Sequence, residues 1–109
     1  MTDIYDAVIV GGGHNGMAAA GYLSRAGKKV VVVERMDKVG GMTSSGYMIP
    51  EAPGYLVTPC AVELLFARGS GIIEDLELKE HGLTTIDPDP SYAYLHPDGQ
   101  SIALFRDYK

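Results

Sequence analysis

Apolar residues in the first third of the chain fall in two short runs separated by an alanine-rich segment. The runs are residues 5–10 (YDAVIV) and 29–34 (KVVVVE), and β-branched stretches of this length are typical of strands buried on both faces of a parallel sheet. Between them, residues 15–26 (NGMAAAGYLSRA) favour a helix that stops at Gly27, a residue suited to the left-handed position after a helix. The order strand, helix, strand predicts a βαβ unit.

The pattern changes after the second predicted strand. Residues 35–59 contain four glycines and three prolines without a regular apolar period, which predicts a long irregular loop of the kind that serves a ligand or partner. In residues 61–78 apolar positions recur at helical spacing on either side of a Gly-Ser-Gly sequence, which predicts two short helices. Residues 92–95 (YAYL) and 102–105 (IALF) flank the sequence HPDGQS, which predicts a β-hairpin.

Composition and charge restrict the class of function. A chain of 109 residues, 46% of them hydrophobic, can bury one core and therefore forms one domain or part of one. Its net charge of -5 argues against a surface that binds nucleic acid or an anionic membrane. One cysteine and three scattered histidines provide no disulfide and no metal-site spacing. With no apolar run near the roughly 20 residues of a membrane span and no basic leader, we expect a cytoplasmic protein.

The sequence GGGHNG joins the first predicted strand to the predicted helix. It fits the pattern G-x-G-x-x-G at Gly11, Gly13 and Gly16, a pattern that is weak alone and stronger between a strand and a helix. We expect Gly11 to make the tight exit from the strand, Gly13 to let a diphosphate approach bare backbone, and Gly16 to let the helix pack closely. Backbone amides at the helix start, at His14 and Asn15, would then bind the anion without basic side chains.

Glu34 stands at the end of the second predicted strand, eighteen residues after the last glycine of that pattern. A carboxylate at this spacing accepts hydrogen bonds from the ribose hydroxyls of adenosine and repels a 2′-phosphate, which favours FAD or NAD over NADP. In isolation Glu34 could equally be an ordinary surface acid. The neighbouring Arg35 either stacks on the adenine or is simply solvated.

A second glycine pair bears on the choice between FAD and NAD. Gly40 and Gly41 are followed by Met42, Thr43 and Ser44, so that bare backbone and hydroxyl donors stand together, as a longer cofactor with a ribityl chain requires. Two glycine elements favour FAD. An NAD-binding dehydrogenase module remains one alternative, and a non-catalytic subunit that keeps the nucleotide fold and stabilises a partner remains another.

The stretch VIVGGGHNGMAAAGYLSRAGKKVVVVER, followed by VGGMTSS, resembles the N-terminus of the phytoene desaturase-like FAD-dependent oxidoreductases. The type it is most similar to is that of pyridine nucleotide-disulfide oxidoreductase domain-containing protein 2, where a His-Asn pair commonly fills the positions of His14 and Asn15. Two places depart from the family pattern. Lys38 and Met42 stand where relatives often have arginine, and residues 58–60 (TPC) stand where many have an Asp-x-Gly segment.

The resemblance implies a Rossmann-like α/β fold with FAD as cofactor, and hydride transfer from a C–H bond of a small or lipophilic substrate to flavin N5. It also implies an incomplete domain: residues 1–90 would be the N-terminal part of the FAD-binding domain, and residues 91–109 a β-hairpin that begins a substrate domain outside this chain. Another polypeptide, or the rest of a longer protein, would complete the flavin site. No catalytic residue is identified, because His14 lies at the adenosine end and Cys60 is expected to be a buried thiol.

Overall fold

The computed structural model describes residues 4–61 and 63–107, and the chain divides into two compact units, residues 1–78 and 79–109. The first unit contains a parallel sheet with helices, and the second contains an antiparallel hairpin. The α/β class is therefore confirmed. The predicted domain division between residues 90 and 91 concerns the parent protein and stays a prediction.

The first unit begins with the βαβ arrangement that the sequence predicts. Strand β1 (Ala7–Val10) pairs in parallel with β2 (Val30–Val33), and helix α1 (His14–Arg25) connects them. The helix ends as expected, because Gly27 takes a left-handed φ of 77° and its N–H donates to the carbonyl of Ser24.

Strand β1 is covered on one face only. Val8 and Val10 have 62% and 86% of their surface exposed, whereas Ala7 and Ile9 are half-buried on the other face. A Cβ on Gly16 of α1 would lie 3.3 Å from Cγ2 of Ile9, so α1 packs on the Ile9 face. The prediction of a strand buried on both faces is wrong for β1, because in the described part of the chain a single helix covers one side of a two-stranded sheet.

Two short helices follow the irregular segment, as predicted. They are α2 (Leu65–Gly69) and α3 (Ile72–Asp75), and Gly71 between them takes a left-handed φ of 76° that breaks the helical path. Ile73 of α3 is buried, with 6% of its surface exposed.

The segment around α3 packs against α1. A Cβ on Gly21 would lie 2.8 Å from Cδ1 of Leu76, so the two segments touch with no room for a side chain at that point. Beside this contact the Tyr22 hydroxyl donates a 2.7 Å hydrogen bond to Oδ2 of Asp75. This bond, together with the negative charge of the carboxylate, raises the pKa of Tyr22 above its ordinary value.

The irregular segment contains one 3-10 helix (Gly41–Thr43) and is held mainly by backbone contacts. Gly46 and Val57 exchange two hydrogen bonds of 3.0 and 2.9 Å, which close the segment into a loop. Cys60, which follows this closure, is exposed, so the expectation of a buried thiol is wrong. The backbone, rather than the Cys60 side chain, makes the local contact here, since the next residue donates its N–H to the Met42 carbonyl at 3.3 Å.

The second unit is built around the predicted hairpin. Strands β3 (Tyr92–Leu95) and β4 (Ser101–Leu104) pair antiparallel, with β4 starting and ending one residue before the predicted run. The turn is closed by the His96 N–H, which donates to the Gln100 carbonyl at 2.8 Å, and Gly99 supplies a φ of 89°.

Within residues 4–61 and 63–107 the structure contains no helix with the length and apolar character needed to cross a membrane.

The close approach of α1 to β1 leads to a stability prediction. A Cβ on Gly16 would overlap the carbonyl oxygen of Gly11, so we expect Gly16→Ala to lower the free energy of unfolding by about 3 kcal/mol. Urea unfolding followed by circular dichroism measures this loss. The control is Gly54→Ala, at an exposed position where a Cβ meets no atom within 4 Å, with an expected change under about 0.5 kcal/mol. Equal losses in the two variants would contradict the prediction.

Candidate functional site

Three segments meet at the carboxyl ends of β1 and β2, which is where open parallel sheets bind ligands. They are the glycine loop (residues 11–16) between β1 and α1, Glu34 directly after β2, and the Gly40-Gly41 pair at the 3-10 helix. Hydrogen bonds of 2.6 and 2.7 Å join the glycine loop to the other two segments. The structure thus brings the glycine and carboxylate positions predicted from the sequence into one place.

The three glycines of the sequence pattern occupy three different environments. Gly11 has a φ of 100°, which residues with a side chain rarely adopt, and its N–H donates to the Val33 carbonyl at 2.8 Å. Gly16 lies so close to Gly11 that no Cβ fits. Gly13 differs from both, because its φ of -75° suits any residue and a Cβ there would meet nothing nearer than the Gly41 Cα at 3.9 Å. The fold therefore requires glycine at positions 11 and 16, and leaves open space at Gly13.

The start of α1 offers backbone N–H groups to an anion. The first helical bond of the segment runs from the Met17 N–H to the Gly13 carbonyl at 2.9 Å, so the preceding amides, His14 to Gly16, have no intrahelical acceptor. No side chain caps the helix and its first turn has no acidic residue. The positive end of the helix dipole is thus not neutralised by the helix itself, and the side chains of His14 and Asn15 are exposed.

Glu34 accepts hydrogen bonds from backbone on both of its carboxylate oxygens. Oε1 accepts from the Met36 N–H at 2.9 Å, and Oε2 accepts from the Gly12 N–H at 2.6 Å. The Met36 amide first, and then the Gly12 amide, lower the pKa of Glu34 below its ordinary value of 4.5, with a smaller contribution from the backbone and charge of Arg35. The Arg35 side chain is exposed.

Gly12 is the site residue that the sequence reasoning missed. It is buried, its carbonyl accepts from the Gly40 N–H at 2.7 Å, and a Cβ there would lie 2.9 Å from Cγ1 of Val39. Position 12 is a variable position of the G-x-G-x-x-G pattern, so the pattern does not select it. The available signal was the unbroken run of three glycines, which exceeds what the pattern requires.

The second glycine pair lies against the first. Gly40 and Gly41 have φ values of 122° and 56°, and a Cβ on Gly41 would lie 3.1 Å from the Gly13 Cα. The hydroxyls beside the pair are already bonded within the turn: Thr43 donates to the Gly40 carbonyl at 2.7 Å, and Ser44 to the Gly41 carbonyl at 2.6 Å. These two hydroxyls, expected as donors to a cofactor, therefore present oxygen lone pairs in this conformation. The Met42 side chain is 64% exposed.

Together these groups fit an adenine dinucleotide. Free amides and open space at Gly13 suit a diphosphate, and an ionised Glu34 suits neighbouring hydroxyls. Each oxygen of a carboxylate can accept two hydrogen bonds, so the bonds to Gly12 and Met36 leave acceptor capacity for a ribose.

The lowered pKa of Glu34 leads to a prediction about acid stability. A carboxylate whose pKa is lower in the folded state stabilises the fold above pH 4.5, and this contribution disappears as the pH falls through the folded pKa. We expect the unfolding free energy of Glu34→Gln to depend less on pH below about 4.5 than that of the wild type. Urea titrations at several pH values measure the slope, and Glu51→Gln, which removes an exposed carboxylate outside the site, is the control. Identical slopes in Glu34→Gln and wild type would count against the two amide bonds.

Comparison with known proteins gives the family of the chain. Residues 6–79 match the family of FAD dependent oxidoreductases. A limonene dehydrogenase subunit of Castellaniella defragrans is 34% identical over 94% of this chain and 18% of its own length. Pyridine nucleotide-disulfide oxidoreductase domain-containing protein 2 of Mus musculus is 42% identical over 79% of this chain and 14% of its own length. Phytoene dehydrogenase of Streptomyces griseus is 37% identical over 92% of this chain and 19% of its own length.

The chain therefore spans less than a fifth of the length of these curated relatives, from 14% to 19%. The family match includes β1, α1, β2 and the second glycine pair, so all three segments of the site lie inside it. The resemblance drawn from the glycine pattern is confirmed, and the chain belongs to the family of FAD-dependent oxidoreductases, whose cofactor is FAD.

Proposed function

We propose that this chain is the dinucleotide-binding N-terminal portion of a flavin-dependent oxidoreductase that removes a hydride from a C–H bond of an organic substrate. The observation that carries the proposal is the junction of the glycine loop with both Glu34 and Gly40 through one residue, Gly12. This junction supports the proposal because the start of α1, the Glu34 carboxylate and the Gly40-Gly41 segment lie side by side, as the binding of a diphosphate and a ribose would require. We assign the fold of the parent domain to the Rossmann type on this basis.

The proposed cofactor site contains all the residues selected from the sequence. The amides of the α1 start would bind the diphosphate, with Gly13 giving it access to the backbone, and Glu34 would accept from the adenosine ribose. The assigned residues are Gly11, Gly13, His14, Asn15, Gly16, Glu34, Arg35, Gly40, Gly41, Met42, Thr43 and Ser44.

FAD, when bound, supplies the hydride acceptor, and the protein supplies binding and orientation. The residues of this chain would bind and orient the adenosine and diphosphate end of the cofactor. The matched relatives named for limonene and phytoene support a small or lipophilic hydrocarbon as the substrate class.

The remainder of the flavin and substrate sites would come from residues outside this chain. A longer parent protein is supported by the small share of its relatives that the chain spans. A partner polypeptide is supported by the name of the limonene dehydrogenase relative, which makes that protein one subunit of an enzyme. Intact mass and polypeptide composition of the purified native particle distinguish the two.

The open space at Gly13 provides a test of cofactor binding that does not depend on folding. We expect Gly13→Ala to weaken FAD binding at least tenfold, because the new methyl group occupies the approach of the diphosphate. The same change should lower the unfolding free energy by no more than about 1 kcal/mol, since Gly13 has an ordinary φ and a Cβ there touches nothing closely. Isothermal titration with FAD, and with NAD for the wild type, gives the affinities, and Gly54→Ala is the control.

Two results would contradict the proposal in this experiment. One is a wild-type chain that binds NAD but not FAD, which would favour an NAD-binding module. The other is a Gly13→Ala variant that binds FAD as tightly as the wild type, which would place the diphosphate elsewhere.

A further inference from the structure

The backbone of Gly12 is held from two directions by groups distant in the sequence. Its N–H donates to Oε2 of Glu34 at 2.6 Å, across 22 residues, and its carbonyl accepts from the Gly40 N–H at 2.7 Å. Oε1 of the same carboxylate accepts from the Met36 N–H at 2.9 Å, which fixes the rotation of the Glu34 carboxylate. Two of these bonds therefore restrict the Gly12 backbone directly, and the third fixes the carboxylate that makes one of them.

These bonds fix the direction of the amides that follow. Gly12 immediately precedes Gly13, the residue that caps α1, so the orientation of the Gly12 backbone sets how the chain enters the helix. Glycine would otherwise give this position the widest choice of backbone conformations. The Val39 side chain leaves no room for a Cβ here, since its Cγ1 lies 2.9 Å from where a Gly12 Cβ would be, so this junction fits glycine closely.

We propose that Glu34 is a positioning residue for the glycine loop, and that its carboxylate holds the loop in the diphosphate-binding conformation before a ligand arrives. This inference rests on the proposed function, because it concerns the same site. It adds a role that does not pass through the ribose hydroxyls. Glu34 therefore contributes to the binding of any ligand with a diphosphate, including one that has no hydroxyl groups to offer it.

The negative charge of Glu34 gives the test a definite direction, because charge and loop geometry predict opposite changes in diphosphate affinity. Glu34 is an anion close to a site for another anion, so removing its charge alone would strengthen diphosphate binding. If binding weakens instead, the carboxylate acts through the geometry of the loop. Glu34→Gln removes the charge and one of the two backbone acceptors, whereas Glu34→Asp keeps the charge and shortens the reach to Gly12.

The experiment compares two ligands on the full chain, ADP and 2′,3′-dideoxy-ADP, by isothermal titration. We expect Glu34→Gln and Glu34→Asp each to weaken 2′,3′-dideoxy-ADP binding about tenfold, the size expected for loss of one hydrogen bond to a charged group. ADP binding should weaken by at least as much. Glu51→Gln, a matched loss of an exposed carboxylate, should leave both affinities unchanged.

Amide hydrogen exchange supplies a readout that needs no ligand. In the ligand-free chain the Gly12 amide should exchange at least tenfold faster in Glu34→Ala, which has no side-chain acceptor, than in the wild type. The amides of β1 and β2 should keep their protection, which separates loosening of the loop from unfolding of the sheet.

The outcomes distinguish failure of the positioning role from failure of the proposed function. If the Glu34 variants weaken ADP binding and leave 2′,3′-dideoxy-ADP binding unchanged or stronger, the positioning role is overturned and the nucleotide site stands. If the wild type binds neither ligand, the proposed function is overturned and the positioning role with it. Unchanged exchange at Gly12 in Glu34→Ala also overturns the positioning role.

Discussion

The first turn of α1 lies directly against the end of β1, and this contact determines the rest of the first unit. Gly16 touches the Gly11 carbonyl and the Ile9 side chain with no space for a Cβ. The contact forces the chain to leave β1 through the positive φ of Gly11, and it aims the start of the helix at the edge of the sheet. The position of this helix end accounts for three features of the site. They are the free amides at the start of α1, the bond from Glu34 to the glycine loop, and the approach of Gly40 to the same loop.

The same geometry separates glycines that the fold requires from a glycine that it does not require. Gly11 and Gly16 are required by backbone conformation and packing, so any protein with this βαβ unit would need them. Gly13 has an ordinary conformation and open space beside it. Glycine is a common residue at a helix N-cap, so the fold tolerates it at position 13 without requiring it, and the open space beside it is what the proposed diphosphate site would use.

Much of this organisation could be predicted from the sequence, because it depends on local patterns. Runs of β-branched residues identified β1 and β2, Gly27 and Gly71 marked helix ends, and the Pro-Asp-Gly turn identified the hairpin. The bond between Gly12 and Glu34 could not be predicted in this way, because it depends on the register of segments 22 residues apart. The exposure of β1 and of Cys60 also depends on which surfaces find a partner, and a sequence pattern reports only that a surface is apolar.

The two halves of the site differ in the kind of hydrogen-bonding group they present. The α1 start presents N–H protons, whereas Thr43 and Ser44 have committed their protons to the carbonyls of Gly40 and Gly41 and present lone pairs. A phosphate oxygen is an acceptor and is matched only by the first half; a polyol chain can donate to the second. The closure of the short 3-10 turn upon itself therefore gives the proposed site a direction, because an elongated ligand with one anionic and one hydroxylated part would match these groups in one orientation.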